Sequence, residues 1–423
     1  MRKTDLRAFI LIATLVLVVA VPAAAQTIAI TNGTVYPVSG PSIPNATVLI
    51  RDGVIVAVGA RVNVPADARR IDATGKVVTP GLINSVTELG VIEIDQVKET
   101  RDDTAKGLNN ISAAFRVWEG LNPASAVFAP TRNEGITTVI VTPHGGLISG
   151  QAAVIDLLPG HVADMIRRAP VAMMAQIDSP NDAGTSARGE LMSKLRILLE
   201  DVRFYAQHRA DYDRAAARLL SAPKADLEAL IPVIEGKLPL VVEANRVDEI
   251  DAALALARDF DLKLMIVGGA EAWLTADRLA AAQVPVLTGA MSNIPASFSA
   301  LNQRQENAGL LRRAGVRVAL VATSGSDVTR FNARNLKYEA GNAVAYGMSH
   351  DDALRAVTLT PAELFGVSDR IGSLQAGRDA NVVVWSGDPF EFSTRVEHVL
   401  IRGREVPEPS RQDLLIERYK PRP

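Results

Sequence analysis

From residue 81 onward the chain repeats one pattern, a short and almost uninterrupted apolar run followed by a polar stretch of helical period. The runs are GITTVIVTP, PVAMMAQI, LPLVVEAN, LKLMIVGG, VPVLTGA and VRVALVATS, and GLINSV precedes them. A strand that alternates apolar and polar residues has one wet face. A continuous apolar run can be satisfied only by burial on both faces, which is the condition of a parallel strand covered by helices. The intervening stretches RGELMSKLRILLEDVRFYAQHRADYDRAAARLL, VDEIDAALALARDF and AWLTADRLAAAQ supply such helices. With GLINSV as the first strand, about eight units fit, which predicts an α/β chain closed into a (β/α)8 TIM-like barrel. The same pattern also allows an open doubly wound sheet.

The two ends have a different texture. IAITNGTVYPV, ATVLIRDGVIVAVG and RRIDATGKVVTP combine branched apolar residues with Asn-Gly, Asp-Gly and Thr-Gly, and read as antiparallel strands joined by tight turns. IGSLQAGRDANVVVWSGDPF and RVEHVLIRGREV repeat that texture near the other end. Two β-rich pieces at opposite ends most economically make one small sheet domain, assembled around what lies between them.

Arg2, Lys3 and Arg7 precede an apolar run from Ala8 to Val21, followed by Ala23 and Ala25. That order is expected of a secretory signal peptide over residues 1–25, cleaved before Gln26, leaving an exported protein, periplasmic or secreted, with no membrane attachment. The chain contains 45 Lys and Arg against 47 Asp and Glu. This balance offers no extended basic surface for nucleic acid, so a small-molecule partner is expected instead. With no cysteine there is no disulfide, thiolate metal site or cysteine nucleophile. Neither a G-x-S-x-G elbow nor a phosphate loop is present.

Four stretches, ATVLIRDGVIVAVG, IDATGKVVTPGLIN, GITTVIVTP and ALRAVTLTPAELFGVSDRIGSLQAGRDANVVVWSGDPFE, resemble the amidohydrolase superfamily, close to its imidazolonepropionase-like members. The resemblance implies a distorted barrel over 81–365, a small composite β-sandwich from 26–80 and 366–407, and a C-terminal tail at 408–423. It also implies hydrolysis of an amide or cyclic imide by a hydroxide bound to zinc or another divalent metal, with an aspartate shuttling the proton. The family's His-x-His at the end of the first strand falls here on Val86 and Glu88. Its strand-five histidine falls on Glu243, its strand-six histidine on Val267, and its aspartate near Thr323 and Ser324, with Asp327 slightly further on. Valine has no lone pair to give, and the substitutions lead to the expectation of no resident metal cofactor.

Polar residues at the expected strand ends define the candidate site. Glu88, Glu243 and His144 are the catalytic candidates, the two carboxylates because like charges held close together separate their pKa values into an acid and a base. The alternative for that pair is a structural ion pair with Arg246 or another cation. Ser149, Gln151, Asn245, Arg246, Ser324 and Asp327 are the substrate-binding candidates, the first two in a loop GGLISGQ at the barrel mouth. His161, His208, His350 and His398 read as exposed or locally hydrogen-bonded, and the charged run after Glu88 as a solvated face. Two functions follow: a hydrolase of carbon–nitrogen bonds outside peptides, or a catalytically silent envelope barrel that binds a small molecule or a protein. A homo- or hetero-oligomer with a related chain is a third expectation.

Overall fold

The computed structural model describes residues 27–178, 187–291, 294–295, 298–322, 333–406 and 409–420. The N-terminal segment expected to be a signal peptide, and Thr323, Ser324 and Asp327, lie outside these. Five strands open the described chain: β1 (Thr27–Val35), β2 (Ile43–Arg51), β3 (Val54–Gly59), β4 (Arg69–Asp72) and β5 (Val77–Pro80). Eight follow: β6 (Leu82–Thr87), β7 (Ile136–Val141), β8 (Ile148–Asp156), β9 (Ile166–Gln176), β10 (Leu240–Ala244), β11 (Leu264–Gly268), β12 (Val286–Thr288) and β13 (Val318–Leu320). Three close the chain: β14 (Val382–Trp385), β15 (Val396–Ile401) and β16 (Arg404–Glu405).

The second group forms one sheet in strict sequence order, β6 to β13, curled into a barrel. The backbone N–H of Ala322, just past β13, donates 3.3 Å to the side-chain oxygen of Asn84 on β6 and bridges the seam. The fold is therefore the (β/α)8 TIM-like barrel, but not built from eight equal units. β8 pairs antiparallel with both β7 and β9 and follows β7 through a hairpin with no helix between. Seven strands run parallel, and the eighth is this hairpin arm. GGLISGQ, expected to be a mouth loop, contains the first residues of β8.

Inside the barrel, Ile83, Val86, Ile140, Val241, Met265 and Val267 belong to one apolar cluster, which Leu364 and Phe365 also join. Outside, the helix Arg188–Gln207 buries Leu191, Leu195, Leu198, Leu199 and Val202. Spacings of three, four and seven residues put these on one helical stripe. Each such side chain removed from water contributes roughly 1.5–3 kcal/mol. The long helical stretch expected here breaks at His208, and only Arg209–Asp213 resumes helix before Lys224.

The first and third groups form a single folded sheet in the order β16-β15-β14-β5-β1-β2-β3, with β4 also on β1. Both chain ends thus build the small β-sandwich. Asp52 and Gly53, at φ of 51° and 79°, make the tight turn between β2 and β3 that Asp-Gly favours. Asn32-Gly33 is instead a bulge inside β1, and β4 and β5 run parallel to β1 rather than antiparallel. β14 pairs with β5, Val384 opposite Val78. The expected C-terminal tail contains a helix, Arg411–Tyr419, capped by Ser410.

A buried polar cluster joins sandwich to barrel. Asp156, fully buried on β8, accepts from Thr138 Oγ1 at 2.8 Å, Arg167 Nη2 at 2.5 Å, Arg402 Nε at 2.7 Å and Asn381 Nδ2 at 3.2 Å. Arg167 reaches on to Asp379 at 2.6 Å, and Arg370 pairs with the same carboxylate. Beside this cluster the buried Trp385 donates from Nε1 to Thr79 Oγ1 at 2.8 Å, and its ring faces Gly135. Gly135 sits at φ +81°, and a Cβ there would stand 2.2 Å from the Trp385 ring. Gly135→Ala should therefore lower the unfolding free energy by about 1–3 kcal/mol through overpacking and left-handed strain. An unchanged urea midpoint would show that the indole has room to move.

A second junction carries a titratable pair. His350, at the start of a short helix, lies 3.0 Å from Asp388 and packs against Tyr36 and Phe390. Its hydrogen bond to Asp388 raises the imidazole pKa, against partial burial. Burial pushes the Asp388 carboxyl up, but His350 and the Phe390 N–H together bring it below its ordinary value. A raised histidine stabilises fully below its unfolded value of about 6.5 and loses that contribution as pH rises through the folded value. The depressed carboxyl stabilises above its ordinary value and loses its contribution as pH falls through the folded one. The pair is thus most stabilising between the two. His350→Gln should flatten the fall in stability from about pH 6 to about pH 9, and an identical slope in both proteins, measured by urea unfolding, would refute this.

Candidate functional site

The mouth lies where the parallel strands end. On β10, Glu243 stands opposite Gln176 of β9 and Val267 of β11. Side chains alternate along a strand, so Glu243 shares the inward face of Val241, and its partner Val267 belongs to the same lumen cluster. Glu88 follows inward-facing Val86 by two residues and is 2% exposed. Its backbone carbonyl accepts from Val91 and Ile92 and turns the chain sharply after β6. His144 follows β7, and its backbone N–H donates to the Asp103 carbonyl at 3.0 Å. The His144 Nδ1 is 3.9 Å from Glu243 Oε2, with both side chains mostly buried.

The segment after Glu88 is not a free solvated face. It returns over the mouth and adds residues the sequence reading passed over. Asp103 is fully buried and pairs with Arg101 at 3.3 Å, and Arg101 also reaches Asp95 at 3.1 Å. The hydrogen bond to Asp103 raises the Arg101 pKa against partial burial, and Asp95 and Glu88 add to the rise. Each candidate carboxylate therefore has its own cationic or titratable neighbour, Arg101 beside Glu88 and His144 beside Glu243. The signal in the sequence was the Arg-Asp-Asp run at 101–103, which reads as surface charge until the backbone bond from His144 locates it.

The other candidates are placed differently. Arg246, expected as a counter-ion or ligand-binding group, pairs with Asp248 at 2.9 Å on the solvent side of its helix. Asn245 bridges loops, donating to Asp178 at 3.0 Å and accepting from the Ala270 N–H at 3.3 Å. Glu249 holds this elbow by accepting from the backbone N–H groups of Asn245 and Arg246 at 2.9 and 3.0 Å. Ser149 and Gln151 are buried on β8. Gln151 alternates with lumen-facing Ala152, so it points outward, and its amide donates to the Ala113 carbonyl at 3.0 Å. It braces the segment over the mouth rather than lining it. His350 and His398 bond Asp388 and Glu405, and His208 bonds the Phe204 carbonyl. Among the described residues, no three His, Cys, Asp or Glu side chains gather as a metal ion would require.

Comparison with known proteins agrees with this architecture. The amidohydrolase family profile matches residues 243–406. An amidohydrolase of known structure from Thermotoga maritima superposes with a TM-score of 0.81 and 26% identity, over 90% of this chain and 99% of its own. Imidazolonepropionase of Sphingopyxis alaskensis is 23% identical over 84% of this chain and 90% of its own length. The amidohydrolase tasK of Hapsidospora irregularis is 24% identical over 84% of this chain, which spans 39% of that longer protein. These matches support placing the chain with the amidohydrolase superfamily. Within it, the sequence is imidazolonepropionase-like, with the enzyme of Agrobacterium fabrum matching at 24% identity over 84% of the chain.

Proposed function

We propose that the protein hydrolyses carbon–nitrogen bonds outside peptides, of the cyclic amide or imide kind, at the mouth formed by Glu88, His144 and Glu243. The observation that carries this reading is the 3.9 Å approach of His144 to Glu243 on the inward face of a superfamily barrel. His144 takes a proton from the attacking water, whose oxygen bonds to the substrate carbonyl carbon. Glu243 holds the imidazolium so formed, and His144 returns the proton to the nitrogen as the carbon–nitrogen bond breaks. Glu88, with the Arg101 charge beside it, accepts a hydrogen bond from a substrate N–H and fixes its orientation.

The donor set does not fit the divalent metal that the superfamily implies. Val86 and Val267 have no lone pairs and belong to the apolar lumen cluster, and the remaining carboxylates carry neighbours of their own. We assign no step to a metal. Metal analysis of protein purified without chelator tests this directly: about one tightly held divalent ion per chain would overturn it. Turnover of cyclic amides or imides by metal-poor protein would support it.

The burial of Val86 and Val267 favours a second reading, a silent barrel that binds a small molecule or a protein partner in the envelope. Absence of turnover across cyclic amides, imides and dipeptides, together with saturable ligand binding, would select it. For location, the Arg2 to Ala25 segment supports export, and N-terminal sequencing of the mature protein should begin at Gln26. The near balance of charge supports a small-molecule partner over nucleic acid, and a related chain remains the expected oligomer partner.

A further inference from the structure

We propose that the base of the barrel is a second ligand site, which takes a small organic anion with two or more carboxylate or phosphate groups. Opposite the mouth, a cavity of about 720 Å³ opens between the starts of β9 to β13. That volume suits a small molecule. Four cationic side chains line it, Arg168, Lys237, Lys263 and Arg317. A single carboxylate, Glu363, faces them, and it is already bound to Arg355 at 2.7 Å.

The ladder of the barrel brings these cations together from distant parts of the sequence. Lys263 immediately precedes β11, and its carbonyl accepts from the Leu240 N–H of β10. Arg317 immediately precedes β13, and its carbonyl accepts from the Val286 N–H of β12. Lys237 sits just ahead of β10, and Arg168 lies in the first half of β9. The charges therefore gather along one rim of the barrel, where β9, β10, β11 and β13 begin. Lys237 spends its charge on Glu235 at 2.7 Å. The other three have no carboxylate partner among the described residues. Among the described residues, Arg168 donates to the Gly366 carbonyl at 2.6 Å, Arg317 to the Gln283 carbonyl at 3.5 Å, and Lys263 makes no side-chain bond.

Three uncompensated positive charges at one cavity stand out in a chain whose formal net charge is −2. Like charges at close quarters repel, and a multivalent anion relieves that repulsion while pairing with each. Buried Val171, Leu264 and Phe365 supply an apolar floor against which the ligand's carbon skeleton can rest. The site is independent of the mouth, since Glu88, His144 and Glu243 do not line this cavity.

Titration calorimetry of the full chain with citrate, with inorganic pyrophosphate and with neutral glycerol tests the proposal. Citrate, pyrophosphate or both should bind one per chain, and the stronger of the two says whether carboxylate or phosphate is recognised; glycerol should not bind. Affinity should fall about tenfold or more in K263E/R317E, and severalfold as salt rises from about 50 to about 300 mM. H144A should leave it unchanged. Both replaced side chains are exposed, so the fold is retained, and the milder K263Q/R317Q gives the same reading if reversal disturbs it. Absence of binding by both anions, or equal affinity in the charge variants, would overturn the proposal.

Discussion

Asp156→Ala should lower the unfolding free energy by about 3–5 kcal/mol, the largest single stability effect expected in this protein. The carboxylate is fully buried and takes hydrogen bonds from Thr138, Arg167, Arg402 and Asn381. Arg167 is 8% exposed on its side chain, so it cannot turn to water when its partner is removed. An uncompensated buried guanidinium is the costly element of such a variant, more than the loss of the ion pair itself. Asp379 retains part of the Arg167 charge at 2.6 Å, which sets the expectation within the range rather than above it. Asp156→Asn, which keeps an oxygen for Thr138, should fall between alanine and wild type. Urea unfolding followed by tryptophan fluorescence measures both, and a loss under about 1 kcal/mol for alanine would mean that water reaches the guanidinium.

The second large effect concerns rate. His144→Ala should reduce kcat by about 10²–10⁴-fold on any substrate the protein hydrolyses, because general acid–base groups contribute on that scale. Glu243→Gln should also lower kcat, with little change in KM, since it keeps the shape at the 3.9 Å contact but removes the charge that holds an imidazolium. The two are not independent. If they act as one unit, the double variant should be scarcely slower than His144→Ala alone. Multiplicative losses would instead mean that Glu243 acts on the substrate directly. Unchanged kcat in His144→Ala would remove the histidine from the chemistry altogether.

The parallel strands β6, β7 and β9 to β13 were legible because burial on both faces leaves a continuous apolar run. β8 was not. Its opening residues Ile148-Ser149-Gly150-Gln151 carry the glycine and polar residues of a loop, and its place in the barrel is fixed by antiparallel ladders that local sequence does not encode. The parallel pairing of β4 and β5 with β1 escaped for the same reason, since pairing direction is a tertiary property. At the mouth, Glu88, His144 and Glu243 could be found because strand ends can be counted. Arg101 and Asp103 could not, because a long irregular excursion carries them back over the barrel, and the bonds that tie it there, such as that from the His144 N–H to the Asp103 carbonyl, join residues far apart in sequence.

The sheet made from both ends has a consequence for how the protein is born. Thr79 meets Trp385 across 306 residues, so β5 leaves the ribosome long before its neighbour β14 exists. Until then its free edge is a template for pairing with any exposed strand, a hazard for aggregation that ends only when synthesis is nearly complete. Closing so distant a contact is slow, so docking of the last strands is expected to limit the rate at which the whole molecule folds. A chain cut short before β14 is thus expected to clump rather than to persist as a smaller soluble barrel.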